Sequence, residues 1–155
     1  MFFVNDSQTQ RHKKIRSFLK TEPLIAVLLG AADFEWTVRR AIIALGHSPN
    51  VDIREHTLLS CHGLDAYKNA WKEEVQPAHE TPLSAVIPNW QFFKEKAFPL
   101  RHKIIHGVLG TVSADHAAER VESMLDASRS LVQFAINRHC DLYQRLKVRR
   151  RKASR

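Results

Sequence analysis

The chain has little of several residue types, and each shortage narrows the class of protein. Two cysteines in 155 residues cannot build a disulfide framework, and Cys61 and Cys140 lack a CxxC spacing, so we expect reduced, partly buried thiols. Glycine and proline are few, with five and six residues, and no low-complexity segment precedes the C-terminal tail. No apolar run is long enough to span a bilayer, and the first residues do not resemble a signal peptide. We therefore expect a soluble, cytoplasmic protein.

Acidic residues are missing from the C-terminal end, where basic residues are concentrated. Residues 145–155 carry seven Lys or Arg and no acid, whereas residues 21–144 have a net charge of −3. We predict one domain over residues 1–144 and a basic C-terminal tail over residues 145–155. Such a tail attracts polyanions by releasing their counterions. The alternative is a solvated end that only aids solubility.

Strand-like alternation is almost absent, and apolar residues recur at helical spacing instead. A short basic helix is expected within residues 5–20 and longer helices over residues 22–45, 64–75 and 89–106. In the segment over residues 22–45, one apolar stripe contains Val27, Ala31, Phe34, Val38, Ala41 and Leu45. Pro99 should kink or restart the helix over residues 89–106, since it lacks a backbone N–H. We predict an all-α, up-and-down bundle of four to five helices.

The longest helix is predicted over residues 114–147, with Ser113 or Asp115 as its N-cap. Its apolar stripe continues through His139, which we interpret as a core histidine. The stripe consists of Ala117, Val121, Leu125, Ser128, Leu131, Ala135, His139, Leu142 and Leu146.

The stretch FPLRHKIIHG, residues 98–107, places Arg101, His102 and His106 around two isoleucines. Arginine binds phosphate oxygens in a planar fork, and histidine moves protons near neutral pH. Together they suffice to cleave RNA without a metal: His106 would move the proton and Arg101 would stabilise charge on phosphorus. His102 would be a second proton shuttle, a substrate contact or an orienting partner of His106. The alternative is a helix end with two aliphatic core residues and three solvated basic ones. In both interpretations Gly107 is expected to be the C-terminal cap of this helix.

Helix geometry limits how these side chains can meet. Five residues rotate a helix by about 140°, so Arg101 and His106 do not share a face. His102 and His106, four residues apart, do. Arg101 and His106 of one chain converge only if the helix is distorted. Two copies facing across a two-fold axis would instead pool two arginines and two histidines.

The string LRHKIIHG resembles the R-x4-6-H motif of the HEPN superfamily, which has a polar residue after the Arg, apolar residues before the His and often a glycine after it. The helix order is similar as well, with the motif late in a small bundle and a long helix after it. The resemblance implies a metal-independent endoribonuclease that acts as a homodimer with a composite site. Arg101 and His106 would be catalytic, with His102 in support, and the products would carry 2′,3′-cyclic phosphate and 5′-OH ends.

The same resemblance implies a toxin or anti-phage defence effector whose partners are RNA, a second copy and an antitoxin or larger defence complex. Some toxins of the superfamily have a regulatory tyrosine where this chain has Val108, so we do not expect that form of control. The residues expected to hold RNA are basic: Lys103, Arg145, Lys147, Arg149, Arg150, Arg151 and Lys152. We predict no metal and no other cofactor, since no zinc-ligand pattern is present. The alternatives are a non-catalytic RNA-binding module and a helical partner-binding protein.

Overall fold

The computed structural model of this chain describes residues 6–152, and in that stretch it contains helices and no strand. Helical residues make up 67% of the structure. The predicted all-α fold is therefore confirmed, as the lack of alternating apolar residues indicates.

Two long helices and several short ones follow one another along the chain. In order they are α1 (Gln8–Ser17), α2 (Pro23–Leu45), α3 (Asn50–Asp52), α4 (Leu64–Glu74), α5 (Gln76–His79), α6 (Leu83–Val86), α7 (Trp90–Phe92), α8 (Phe98–Ile105) and α9 (Ala114–Ile136). The π-helical turn π1 (Ile53–Thr57) follows α3, and π2 (Phe93–Ala97) joins α7 to α8. Within residues 6–152, five helices have eight or more residues: α1, α2, α4, α8 and α9.

The apolar stripes read from the sequence are the buried faces of the helices. All six residues predicted on the α2 stripe are buried, and on α4 the rings of Tyr67 and Trp71 are fully buried. These stripes follow the 3.6-residue period, so local spacing is enough to identify the core side of each helix.

The described residues form two compact units. Unit 1 contains residues 6–34 and Asn89–Asp126, and unit 2 contains Glu35–Pro88 and residues 127–152. The first part of α2 and of α9 belongs to unit 1, and the second part to unit 2. The single domain expected over residues 1–144 stays a prediction.

Unit 1 has an aromatic centre and a buried charge cluster. The ring of Phe34 meets Phe93 and Phe98 edge to face, with centroids 4.8 and 5.4 Å away. On α1, Arg11 Nε donates to Asp33 Oδ1 at 2.8 Å, and His12 Nε2 lies 3.0 Å from Asp33 Oδ2. Burial acts to raise the pKa of Asp33, but the hydrogen bonds and charges of His12 and Arg11 hold that pKa below its usual value.

In unit 2, one arginine connects α2 to α4 and to the loop before it. Arg39 donates to the Tyr67 hydroxyl at 2.9 Å and to the carbonyls of Leu58 and Cys61 at 3.0 and 2.7 Å. The Tyr67 hydroxyl donates in turn to Glu35 Oε2. Burial raises the pKa of Tyr67 to about 12, so this hydroxyl keeps the proton it donates. The network therefore has a structural role.

The last helix is shorter than predicted, because the chain leaves the helix after Ile136. His139 adopts a left-handed φ of 58°, and the Cys140 N–H donates to the Ala135 carbonyl at 3.0 Å while His139 N–H donates to Ile136. These two bonds form a Schellman motif without its usual glycine. The interpretation of His139 as a core residue was wrong, since its side chain is exposed. Leu142 and Leu146 are buried as expected, although they are not helical.

Candidate functional site

The segment that carries the candidate site is attached to the aromatic centre of unit 1. In π2 the Phe98 N–H donates to the Phe93 carbonyl, five residues back. Pro99 follows at once in the first turn of α8, where its missing N–H costs no helical hydrogen bond. Helix α8 begins at Phe98, beside Pro99, where a kink or restart was predicted, and the backbone of Ala97 and Phe98 stays in the helical region across the junction. Because Phe98 and Leu100 are buried, the first turn of α8 is fixed in position.

The basic side chains lie along α8 and at its C-terminal end. Arg101 is half-buried, whereas His102, Lys103 and His106 are exposed. The imidazole rings of His102 and His106 have centroids 4.1 Å apart and planes tilted by 47°. The prediction that these two histidines share a face is confirmed. Two accessible imidazoles this close can both reach one bound group and exchange protons with it.

A glycine cap fixes the backbone that follows His106. The Gly107 N–H donates to the Ile104 carbonyl at 3.1 Å and the Val108 N–H to the Lys103 carbonyl at 2.9 Å, which together form a Schellman motif. Gly107 has a φ of 67°, a conformation that is strained for a residue with a Cβ. The predicted C-terminal cap at Gly107 is confirmed, and it ends α8 at the residue whose imidazole is the candidate proton shuttle.

Apolar residues next to His106 in sequence are exposed. Ile105 is 52% and Val108 is 68% exposed, whereas Ile104 is half-buried. The alternative interpretation of this string required two aliphatic core residues, and for Ile105 that interpretation is wrong. The accessible part of the motif therefore combines two imidazoles with apolar surface.

The basic C-terminal residues are not a detached arm over the range that the structure describes. Residues 142–152, which we call the C-terminal strap, have no regular secondary structure and are held to the rest of unit 2. Asn50 N–H donates to the Arg149 carbonyl at 3.2 Å, and Arg149 N–H donates to Asn50 Oδ1 at 2.6 Å. Leu146, within the strap, is buried. Residues 153–155 of the predicted tail lie outside the described residues.

Two of the predicted RNA-binding arginines have structural partners. The Arg149 guanidinium donates to the carbonyls of Ile43 and Ala44, in the last turn of α2, and to the Ser48 carbonyl, at 2.6, 3.2 and 2.9 Å. It thereby caps the C-terminal end of α2. Arg151 Nε donates to Asp52 Oδ1 at 2.7 Å, which lowers the pKa of Asp52.

The other basic residues predicted to hold RNA are exposed. On the strap they are Arg145, Lys147, Arg150 and Lys152, and on α8 it is Lys103. Their role in binding RNA stays a prediction. Of the strap arginines, Arg149 and Arg151 bind other residues of unit 2, and Arg151 is exposed as well.

One exposed aromatic cluster was not predicted from the sequence. Trp36 is 44% exposed. Its ring stacks on Tyr143 of the strap at 5.6 Å between centroids, with an interplanar angle of 17°. A signal was present, since Trp36 lies off the Val27–Leu45 stripe of α2. The partner could not be found, because Tyr143 was placed in a helix.

No protein-family model matches this chain, and comparisons with curated proteins and with solved structures found no similar protein. Within the described range, no helix has the length and apolar character needed to cross a membrane. The residues from 6 to 152 contain no group of three or more His, Cys, Asp or Glu side chains arranged to hold a metal ion.

Proposed function

We propose that this protein is a metal-independent endoribonuclease whose site is formed by Arg101, His102 and His106. The observation that supports the proposal most directly is the histidine pair on α8, exposed and with ring centroids 4.1 Å apart. Arg101 precedes His102 on the same helix. A proton shuttle and a fixed positive charge are the two components that RNA cleavage by internal attack requires.

The proposed reaction is a transesterification within the RNA strand. His106 takes the proton from the ribose 2′-OH as its oxygen attacks the adjacent phosphorus, and the bond from phosphorus to the 5′-oxygen breaks. The leaving 5′-oxygen receives a proton from a second imidazole, for which His102 is the candidate. Arg101 stabilises the charge on the phosphorane oxygens through its planar fork. The products carry a 2′,3′-cyclic phosphate and a 5′-OH.

We further propose that the active form is a homodimer. Arg101 and His106 are five residues apart, and about 140° of helical rotation separates their directions. A second copy related by a two-fold axis would bring the Arg101 of one chain towards the His106 of the other. The exposed Ile105 and Val108 supply apolar surface that such a contact would remove from water.

By its resemblance to the HEPN superfamily, the protein is proposed to act as a toxin or anti-phage defence effector, with an antitoxin or a larger defence complex as its partner. Expression should then slow the growth of host cells, and the His106→Ala variant should relieve this effect. Equal toxicity of the wild type and the His106→Ala variant at equal protein levels would exclude the toxin role of this site.

A second candidate is a non-catalytic RNA-binding module. The observation that favours it is the C-terminal strap, which presents exposed cations from a fixed backbone. The two candidates differ in one result, because a module of this kind binds RNA and leaves it intact.

The deciding experiment incubates the purified protein with total RNA in EDTA, beside Arg101→Ala, His106→Ala and His62→Ala variants. His62 is an exposed histidine of unit 2 and serves as the matched control. We expect cleavage by the wild type and the His62→Ala variant only, with cyclic-phosphate ends on the fragments. Cleavage that persists in the His106→Ala variant contradicts the proposal, and intact RNA with all four proteins favours the binding module.

A further inference from the structure

The C-terminal strap begins at an aromatic and arginine cluster on α2. Arg40 Nε donates to the Leu142 carbonyl, and Arg40 Nη2 donates to the Gln144 carbonyl at 2.8 Å. The same guanidinium lies 5.5 Å from the Trp36 ring centroid, within cation–π distance. Trp36 stacks on Tyr143, between these two carbonyls in sequence. The indole is therefore held in one orientation while 44% of the residue remains exposed.

The strap continues from this cluster with solvent-facing cations. Arg145, Lys147, Arg150 and Lys152 are exposed, and the backbone between them is tied to Asn50. The carboxylate of Asp52, which lies beside the strap, is paired with Arg151. The four exposed cations therefore lie on an anchored irregular segment, and Tyr143 of the same segment contacts the indole.

We propose that Trp36 and the C-terminal strap form a binding track for single-stranded RNA. An unpaired base stacks on the exposed part of the Trp36–Tyr143 cluster, and the phosphates that follow it contact Arg145, Lys147, Arg150 and Lys152. Aromatic stacking beside a basic groove is how proteins hold single strands without reading their sequence. A duplex keeps its bases stacked on one another and offers the indole none along its length. The inference rests on the proposed function and names its substrate as unpaired RNA.

The anchoring gives this track an advantage over a loose basic tail. A disordered arm loses conformational entropy when it binds, whereas the strap is already ordered by Arg40, Asn50 and Arg149. Its affinity should therefore depend on stacking as well as on charge.

The test measures the affinity of the full chain for a labelled single-stranded oligonucleotide with 2′-O-methyl groups, and for the matching duplex. The 2′-O-methyl group blocks the attacking oxygen, so binding is measured whether or not the protein cleaves RNA. We expect the Trp36→Ala variant to bind the single strand about tenfold more weakly, and the Trp36→Phe variant to retain most of the affinity. A Leu59→Ala variant, which removes an exposed apolar residue of the same unit, should bind as the wild type does.

The contribution of the strap cations to binding is tested with two variants, each with four cations replaced by Gln and therefore with the same net charge. One replaces the four exposed strap cations by Gln, and the other replaces Lys13, Lys20, Lys68 and Lys72, which are also exposed. Four phosphate contacts to a single strand give a slope of about −3 in a plot of log affinity against log salt. We expect the strap variant to lose most of this slope and the control to keep it.

Three results would each overturn the proposed track. The first is equal affinity of the Trp36→Ala variant and the wild type. The others are equal salt slopes of the two charge variants and equal binding of the single strand and the duplex. The His106→Ala variant removes the proposed proton shuttle at the end of α8 and leaves Trp36 and the strap intact. If that variant loses cleavage and still binds the single strand, the result concerns the proposed nuclease and not the track. For a cleaving enzyme, Trp36→Ala should raise KM and leave kcat unchanged.

Discussion

The imidazoles of His102 and His106 lie side by side, with ring centroids 4.1 Å apart, at the C-terminal end of α8. Arg101 belongs to the same helix and is five residues from His106, a spacing that corresponds to about 140° of rotation in a regular helix. If the arginine and the histidine of one site come from different chains, two inactive variants should rescue each other.

We expect a mixture of Arg101→Ala and His106→Ala proteins, unfolded and refolded together, to regain cleavage. A mixed dimer contains one site with an intact Arg101 from one chain and an intact His106 from the other. Equal mixing then gives at most about a quarter of the wild-type rate, since half the dimers are mixed and each has one complete site. The rate of RNA cleavage in EDTA measures the effect, with each variant refolded alone as control. Cleavage by the wild type but none by the mixture would place the arginine and histidine of a site on one chain.

Gly107 should matter for the site because of its backbone conformation. Its φ of 67° is strained for a residue with a Cβ, so Gly107→Ala should destabilise the end of α8 by about 1 kcal/mol and lower cleavage by displacing His106. Gly107→Asn should be milder, since asparagine tolerates this conformation. Urea unfolding and cleavage rates measure both effects.

The matched control for this prediction is Gly110→Ala. Gly110 lies in the same loop, and a Cβ there meets no atom within 4 Å. The substitution should change neither stability nor cleavage. If Gly107→Ala and Gly110→Ala behave alike, the Schellman cap does not position His106.

The parts of the fold that the sequence predicts are those determined by local spacing. The stripe of α2 and the buried rings of α4 follow from the helical period. The start of α8 beside Pro99 and the cap at Gly107 follow from the backbone limits of proline and glycine. The contact between His102 and His106 follows from their four-residue spacing.

The parts that could not be predicted depend on contacts between distant residues or on uncommon conformations. His139 ends α9 in a left-handed conformation that glycine usually takes, so nothing in the sequence marks this end. The role of Arg149 depends on carbonyls of α2 more than a hundred residues earlier. Arg11 belongs to a helix that reads as basic and solvated, yet it is buried because its partner Asp33 lies on another helix.

The buried carboxylate of Asp33 should stabilise the folded protein at the pH values where it is ionised. Its pKa in the folded protein lies below the unfolded value, so its contribution is present above about pH 4 and is lost as the pH falls through the folded pKa. The Asp33→Asn variant leaves Arg11 buried without this anion, which should cost about 3 kcal/mol at pH 7.

Urea unfolding at a series of pH values from 7 to 3 measures this prediction. The difference between wild type and Asp33→Asn should shrink as the solution becomes acidic. Asp65→Asn, which changes an exposed carboxylate on α4, should have little effect at any pH. A difference between wild type and Asp33→Asn that stays constant over the whole range would show that the charge of Asp33 does not contribute.

Replacing serine by alanine should have opposite effects on stability at Ser128, which lies within α9, and at Ser113, the N-cap of α9. Ser128 is fully buried, and its Oγ has no hydrogen-bond partner among the described residues. Removing this hydroxyl relieves an unsatisfied polar group and introduces a better helix former, so Ser128→Ala should stabilise the protein by up to about 1 kcal/mol. Ser113 Oγ instead accepts from the His116 N–H at 3.2 Å, as the predicted N-cap of this helix.

Ser113→Ala should therefore destabilise the protein by about 1 kcal/mol, because an N–H of the first turn loses its acceptor. For a chain of this size, each change shifts the melting temperature by roughly 2 to 4 °C, downward for Ser113→Ala and upward for Ser128→Ala. Differential scanning calorimetry of the two variants beside the wild type compares them directly. A lower melting temperature for Ser128→Ala would mean that its hydroxyl has a partner in solution, for which a buried water molecule is the simplest candidate.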